Sequence, residues 1–288
     1  MKHALRNLLL LVGILLVITT ACRVGIPDTQ SVVLGETRTF LISEELPSDP
    51  QQETKVHIEM GAGSLAVEGG AQKLVEGTVD YNVADWQPEI LRRESRLDIR
   101  QKAERSINLG GLDRVVNRWS LQLGQSPIDL RITAGAYEGS LDLSGVPLTG
   151  LDVSDGASNA KIVFAQPNPV EMARLSYRTG ASDVSLTGLG NANFRRMTFD
   201  GGAGSYSLDF SGALREDGRV TINGGLGDFK ISVPADTAAQ IKIGGNLSNV
   251  NTRGTWLVRD GVYFTQGSGP LLEIEINVGL GSITLISE

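Results

Sequence analysis

Seven times along this chain a stretch of alternating apolar and polar residues runs into a glycine. The apolar pairs are Val56/Ile58 before Gly61, Leu130/Ile132 before Gly135, Leu151/Val153 before Gly156, Leu175/Tyr177 before Gly180, Met197/Phe199 before Gly202, Val220/Ile222 before Gly225 and Ile274/Ile276 before Gly279. The residues between and after them, from His57 and Glu59 in the first copy to Glu275 and Asn277 in the last, are polar. Each copy therefore predicts a strand with one buried face. The residue after the glycine is Ala62, Ala136, Ala157, Ala181, Ala203, Leu226 or Leu280, which continues the apolar phase and is expected to point inward too. The next apolar pair falls out of phase, as in Val184/Leu186, Tyr206/Leu208 and Phe229/Ile231. A one-residue slip turns a strand inside out, so a bend must absorb the odd step. Small and Asx residues place that bend at Ser182-Asp183, Gly204-Ser205, Gly227-Asp228 and their equivalents.

From Gly135 to Gly225 the glycine recurs at intervals of 21, 24, 22 and 23 residues, a period that signals a repeat architecture. One strand-bend-strand unit has nothing to bury its apolar face against, so the copies must stack and align equivalent residues in columns. The expected fold is all-β, a single-stranded parallel β-helix-like solenoid with coils of about 22 residues. Gly139 and Ala160 weaken its inner column. The repeat lapses twice: an irregular β insertion covers 78–126, and a C-terminal hairpin turns at Asp260-Gly261 between TWLV and VYFT.

Residues 1–21 have the layout of a secretory signal: basic Lys2 and Arg6, then an apolar run from Leu8 to Ile18 that is too short to span a bilayer. The Thr-Thr-Ala before Cys22 resembles the end of a bacterial lipobox, although Thr19 stands where Leu is usual. In such a sequence the cysteine is lipidated and becomes the mature N-terminus. Cys22 is the only cysteine, so no internal disulfide exists, and lipidation gives the lone thiol a role. Residues 22–54 read as a tether, in which VVLGETRTFLI is able to add a strand. Without residues 1–21 the chain carries 24 basic and 33 acidic residues, a net charge of −9 that argues against nucleic acid or an anionic lipid surface as partner.

Most candidate chemistry dissolves on inspection. The strings GGAGSY at 201 and GGLGDF at 224 put Tyr206 and Phe229 where the calcium-binding nonapeptide needs Asp. A strand follows them, whereas a phosphate cradle needs a helix N-terminus. His57 has no histidine companion outside residues 1–21 and the one cysteine is Cys22, taken up by the lipid, so His57 reads as a solvated surface residue, and neither a metal nor a cofactor is expected. Asp152, Asp155, Asp183, Asp200, Asp209 and Asp228, with Arg178 or Lys230, are the material for a polysaccharide lyase or glycosidase. They fall in different columns, and turns recruit Asp for backbone reasons. The outward column of Ala66, Ser140, Lys161, Ser185, Ser207, Lys230 and Thr284 is neither a threonine nor an aromatic ladder. Trp86, Trp119, Trp256 and Tyr263 in the irregular parts are the candidates for a contact surface, the competing reading being that they cap the stack.

Two segments, VHIEMGAGSLAVEGGAQKLVEGTVDYNV followed by QPEI, and NRWSLQLGQSPIDLRITAGAYEGSLDLSG, resemble the toast-rack family of bacterial extracytoplasmic proteins. LEIEINVGLGSITL is similar to the C-terminal domain of cell-wall-active antibiotic response proteins and to adhesin head domains. The resemblance implies a β-rich extracytoplasmic domain without an established catalytic site. Cell-wall stress regulators carry membrane helices ahead of such a domain, whereas this chain has a signal segment. The expected organisation is a lipoprotein signal at 1–21, a tether at 22–54, a toast-rack β domain at 55–128 and an adhesin-like solenoid at 129–288. The expected function is that of a non-enzymatic protein, lipid-anchored through Cys22 on the extracytoplasmic face of the cell membrane, with a role in envelope interaction or adhesion or a structural one, and an envelope protein or glycan as the expected partner. Regulation of an envelope-stress sensor kinase and glycan cleavage are the alternatives.

Overall fold

A computed structural model describes residues 34–102, 114–245 and 249–288. Its strands are β1 (Leu34–Glu44), β2 (Thr54–Gly69), β3 (Val75–Val83), β4 (Pro88–Arg93), β5 (Arg96–Gln101), β6 (Asn117–Leu123), β7 (Ile128–Asp142) and β8 (Leu148–Val163). There follow β9 (Arg174–Thr187), β10 (Arg196–Asp209), β11 (Gly218–Val233), β12 (Thr237–Gly245), β13 (Asn249–Gly254), β14 (Leu257–Arg259), β15 (Val262–Phe264) and β16 (Ser268–Ser287). All belong to one sheet.

The seven sequence copies lie on β2, β7, β8, β9, β10, β11 and β16, and these strands stack in parallel in that order. Equivalent residues stand opposite one another: Val184 pairs with Tyr206 and Tyr206 with Phe229. Val184, Leu208 and Ile222 are all buried, as the stacking expectation requires. The strands are continuous through the bend, and the segments between them fold back to close the core. Leu143, Phe164, Met172, Leu189 and Phe194 from those return segments are buried. Asn168, itself fully buried, stitches this third side together by donating to the carbonyls of Leu148 (2.8 Å) and Ala192 (3.1 Å).

The bend lies two residues earlier than the sequence pattern suggests, at Gly180-Ala181 rather than Ser182-Asp183 in β9. Ala136, Ala157, Ala181 and Ala203 are exposed, as are Leu226 and Leu280, so the residue after the glycine points outward. Glycine and its successor face out together, and the odd step is taken there. The glycines themselves explain the position. A β-carbon on Gly156, Gly180, Gly202, Gly225 or Gly279 would lie 2.1–2.8 Å from the carbonyl oxygen of the equivalent glycine one rung earlier. No other residue fits so close an approach of two backbones.

With the bend completed, the second residue after the glycine can turn inward. Tyr137 does so and is buried, with its ring in the space that a β-carbon on Gly139 would enter at 2.5 Å. The small residue of the inner column is thus filled from its own rung. Gly201 and Gly224 work in the opposite sense, leaving room for the rings of Tyr206 and Phe229. Those two rings lie 4.8 Å apart, and Phe199 packs edge-on to Tyr206 at 5.1 Å.

The chain does not wind from one end of the stack to the other. β2 sits between β7 and a split rung made of β5 and β6, which come later in sequence. β16, the last strand, is inserted between β11 and a split rung made of β12 and β13, which come earlier. The irregular 78–126 segment supplies the first split rung and the chain ahead of the hairpin the second, with antiparallel pairs β1–β3 and β4–β5 at one end and β14–β15 at the other. Short or antiparallel outer strands replace a bare parallel edge, which is an open template for aggregation. The hairpin expected at Asp260-Gly261 is present, with φ of 49° and 76°, the pair of positive values that a type I′ turn requires.

Candidate functional site

After the bend, alternate residues project outward and stack into columns. The first, at the bend itself, contains Ala157, Ala181, Ala203, Leu226 and Leu280. The second contains Asn159, Asp183, Ser205, Asp228 and Ser282. The third contains Lys161, Ser185, Ser207, Lys230 and Thr284. The second and third columns line a groove of about 470 Å³ across β8, β9, β10, β11 and β16. Small side chains create the depression: four of the ten are serine and one is threonine. Asp228 accepts from the Ser282 hydroxyl at 2.6 Å, and Asp183 accepts from the backbone N–H of Ser205 at 3.3 Å. Lys161 and Lys230 have no ion pair among the described residues.

The outer face before the bend is different, because several of its arginines are paired with carboxylates. Asp152 is buried between Arg178 (2.8 Å) and Arg131 (3.5 Å). Arg174 holds Asp129 at 2.7 Å, and Arg219 holds Glu273 at 2.9 Å. His57 is half-buried rather than free in solvent, with Nδ1 3.4 Å from Asp98 and Nε2 3.1 Å from the Thr133 hydroxyl. Parallel register places it one rung from each of these residues. The Arg96 guanidinium, aided by His57, holds the Asp98 carboxyl below its usual range against the opposing effect of burial.

Asp155 points into the stack. It accepts from the Tyr177 hydroxyl at 2.7 Å, from Thr179, and from Ser182 at 3.3 Å. Burial pushes the Tyr177 and Tyr137 hydroxyls well above the ordinary tyrosine range. The candidate carboxylates are therefore dispersed: Asp155 is interior, Asp152 is tied up before the bend, and Asp183 and Asp228 share the groove. Among the described residues no cluster of three or more His, Cys, Asp or Glu is placed to hold a metal ion.

The expected contact surface needs correction. Trp119 is fully buried and donates its indole N–H to Asn117 (2.8 Å), and Trp86 is 5% exposed. Trp119 falls on the inward phase of β6, opposite Leu65, and so belongs to the core of the split rung. Asn117 in turn donates to the Ala62 carbonyl (2.6 Å) and to Gln101 (2.9 Å), bridging the bend of β2 to the gap between β5 and β6. Trp256 and Tyr263 are half-buried and meet edge to face at 6.4 Å on the C-terminal hairpin. Cys22 and the signal segment lie outside the described residues. The groove has no repeated ligand type to mark it in the sequence; its signal there is a pair of small polar residues, Ser185 and Ser207, bracketed in one column by Lys161 and Lys230.

Residues 35–173 match the family model described as the N-terminal domain of toast_rack, DUF2154. This stretch is a toast-rack N-terminal domain. The toast-rack match includes β1 and crosses residue 128, where β2 and β7 pair along their lengths. No curated protein matches the chain significantly. Among solved structures, a candidate cell adhesion protein from Clostridium sporogenes is 22% identical, with a TM-score of 0.49 over 88% of this chain and 99% of that one. A candidate adhesin from Parabacteroides merdae is 8% identical, with a TM-score of 0.37 over 88% of this chain and 99% of that one.

Proposed function

We propose that this toast-rack protein is a non-enzymatic contact protein, held by lipid on Cys22 at the extracytoplasmic face of the cell membrane and serving in envelope interaction or adhesion. The observation that carries the reading is the division of polar groups across the stack. Before the bend Arg174, Arg178 and Arg219 are neutralised by carboxylates, whereas the groove after it presents hydroxyls, carboxylates and two lysines to solvent. A surface of that kind binds; it has no buried acid or activated nucleophile with which to react. The tether rests on the basic, apolar and small-residue order of 1–21 ahead of the lone cysteine. Metabolic labelling with a palmitate analogue tests it: the wild-type chain takes up label and Cys22→Ser does not. An unlabelled wild-type chain, or equal labelling of both, contradicts the tether.

Glycan cleavage has one observation behind it. Asp183 and Asp228 stand two rungs apart in one column, about 9.5 Å at the usual strand spacing, near the upper limit for an inverting pair. Both are exposed, however, and a general acid needs an environment that keeps it protonated. The contact reading therefore takes precedence.

A further inference from the structure

The geometry points to the groove as a seat for a linear acidic polyhydroxylated chain, lying along the stacking axis with its anionic groups on Lys161 and Lys230. This inference rests on the contact reading and names what is contacted. Three features of the groove select the ligand.

The first is periodicity. Each rung adds one second-column and one third-column residue every 4.8 Å or so, roughly the advance of one sugar ring or one short polyol unit. A ligand running along the axis meets a third-column partner at each step: lysine on β8 and β11, and on the other rungs Ser185, Ser207 and Thr284, whose hydroxyls both donate and accept. A compact ligand would use one or two rungs and leave the others idle.

The second is charge. Lys161 and Lys230 share a column three rungs apart, about 14 Å, and have no ion pair among the described residues. Before the bend Arg131, Arg174 and Arg178 are matched by carboxylates within 3.5 Å. Asp183 and Asp228 lie in the neighbouring column, each already taking one hydrogen bond, and their remaining lone pairs suit ligand hydroxyls. Anions therefore belong over the lysine column and hydroxyls over the aspartate column, which fixes the orientation of the chain in the groove.

The third is the rim. Leu226 and Leu280, 56% and 58% exposed, stand next to Asp228 and Ser282 at the bend. They offer an aliphatic edge for the C–H face of a sugar or polyol. A free inorganic anion would use neither the rim nor the hydroxyl ladder.

Carboxylates on uronic acids and phosphates on a polyol backbone share this chemistry, and the test separates them. The full chain in detergent is titrated with hexagalacturonate, its methyl ester and a glycerol-phosphate hexamer. At least one anionic chain binds, the methyl ester binds markedly less, and affinity falls as salt rises. Which anionic chain binds identifies the source of the charge. Lys161→Gln and Lys230→Gln each weaken binding about threefold and together about tenfold, with the melting temperature unchanged because both side chains are exposed. Lys242→Gln, before the bend, leaves affinity unchanged. Absence of binding by both anionic chains, equal binding of the methyl ester, or an undiminished double variant overturns the assignment. Such a failure leaves palmitate labelling intact, whereas failure of the tether leaves the titration intact.

Discussion

A β-carbon on Gly202 would lie 2.1 Å from the carbonyl oxygen of Gly180, one rung below. The same contact recurs along the stack, so the bend is a ladder of backbones in which each glycine admits the next. Gly202→Ala must push two rungs apart at their tightest point. The expected loss is about 1–3 kcal/mol, typical of overpacking. Urea unfolding measures it, with Ala203→Gly, on the exposed neighbour, as a control that costs less.

Tyr137 and Gly139 act as one unit, the ring of the first occupying the side-chain volume of the second. Gly139→Val alone is expected to clash and destabilise by about 1–3 kcal/mol. Tyr137→Ser alone empties a buried site and costs a comparable amount or more. The double variant restores the pattern of β9, where Ser182 precedes Val184, and is expected to be more stable than the sum of the singles predicts. A double-mutant cycle in urea gives the coupling; strict additivity would show that the two sites do not share space.

Much of the architecture was legible in the sequence because period two and a period near 22 are imposed by geometry. The alternation before each glycine, the burial of Val184, Leu208 and Ile222, and the Asp260-Gly261 hairpin were all readable. The bend stands two residues before the place the pattern suggests. Alanine is small enough to stand outward without penalty, so Ala136 to Ala203 looked like a continuation of the apolar phase. The chain order at the ends was hidden for another reason: strand pairing between residues as distant as Val220 and Ile274 leaves no local mark. Trp119 stands out in a chain with few aromatic residues, yet its inward position in β6 makes it a core residue.

The place of β16 between β11 and β12 has a consequence for folding. Ending the chain at Gly267 removes one strand from the interior of the stack and leaves β11 and the β12–β13 rung without their shared partner. Two exposed parallel edges are then templates for other chains. The truncated protein is expected to aggregate, while a variant lacking 257–264 keeps its stack. Size-exclusion chromatography after refolding distinguishes them, and a monomeric truncated chain would contradict the insertion.

Acid should loosen the N-terminal split rung first. The Asp98 carboxyl is held below its unfolded range by Arg96 and then by His57. A group whose folded pKa is depressed gives stability that is present above its unfolded value, near 4, and lost as pH falls through the folded value. Asp98→Asn is expected to flatten this part of the acid dependence, and stability measured from pH 6 to pH 2 checks it. An unchanged slope would remove Asp98 from the account.

The most direct test of the stack is cross-linking in a Cys22→Ser background. Ser185 and Ser207 face each other in register on β9 and β10, at a spacing that a disulfide spans. Lys230 lies one rung beyond Ser207, about 9.5 Å from Ser185 and out of disulfide reach. Mild oxidation of Ser185→Cys/Ser207→Cys is expected to give an intramolecular disulfide, seen as faster migration on a non-reducing gel, with none for Ser185→Cys/Lys230→Cys. No bond in the first pair, or one in the second, would contradict the stacking of the repeats.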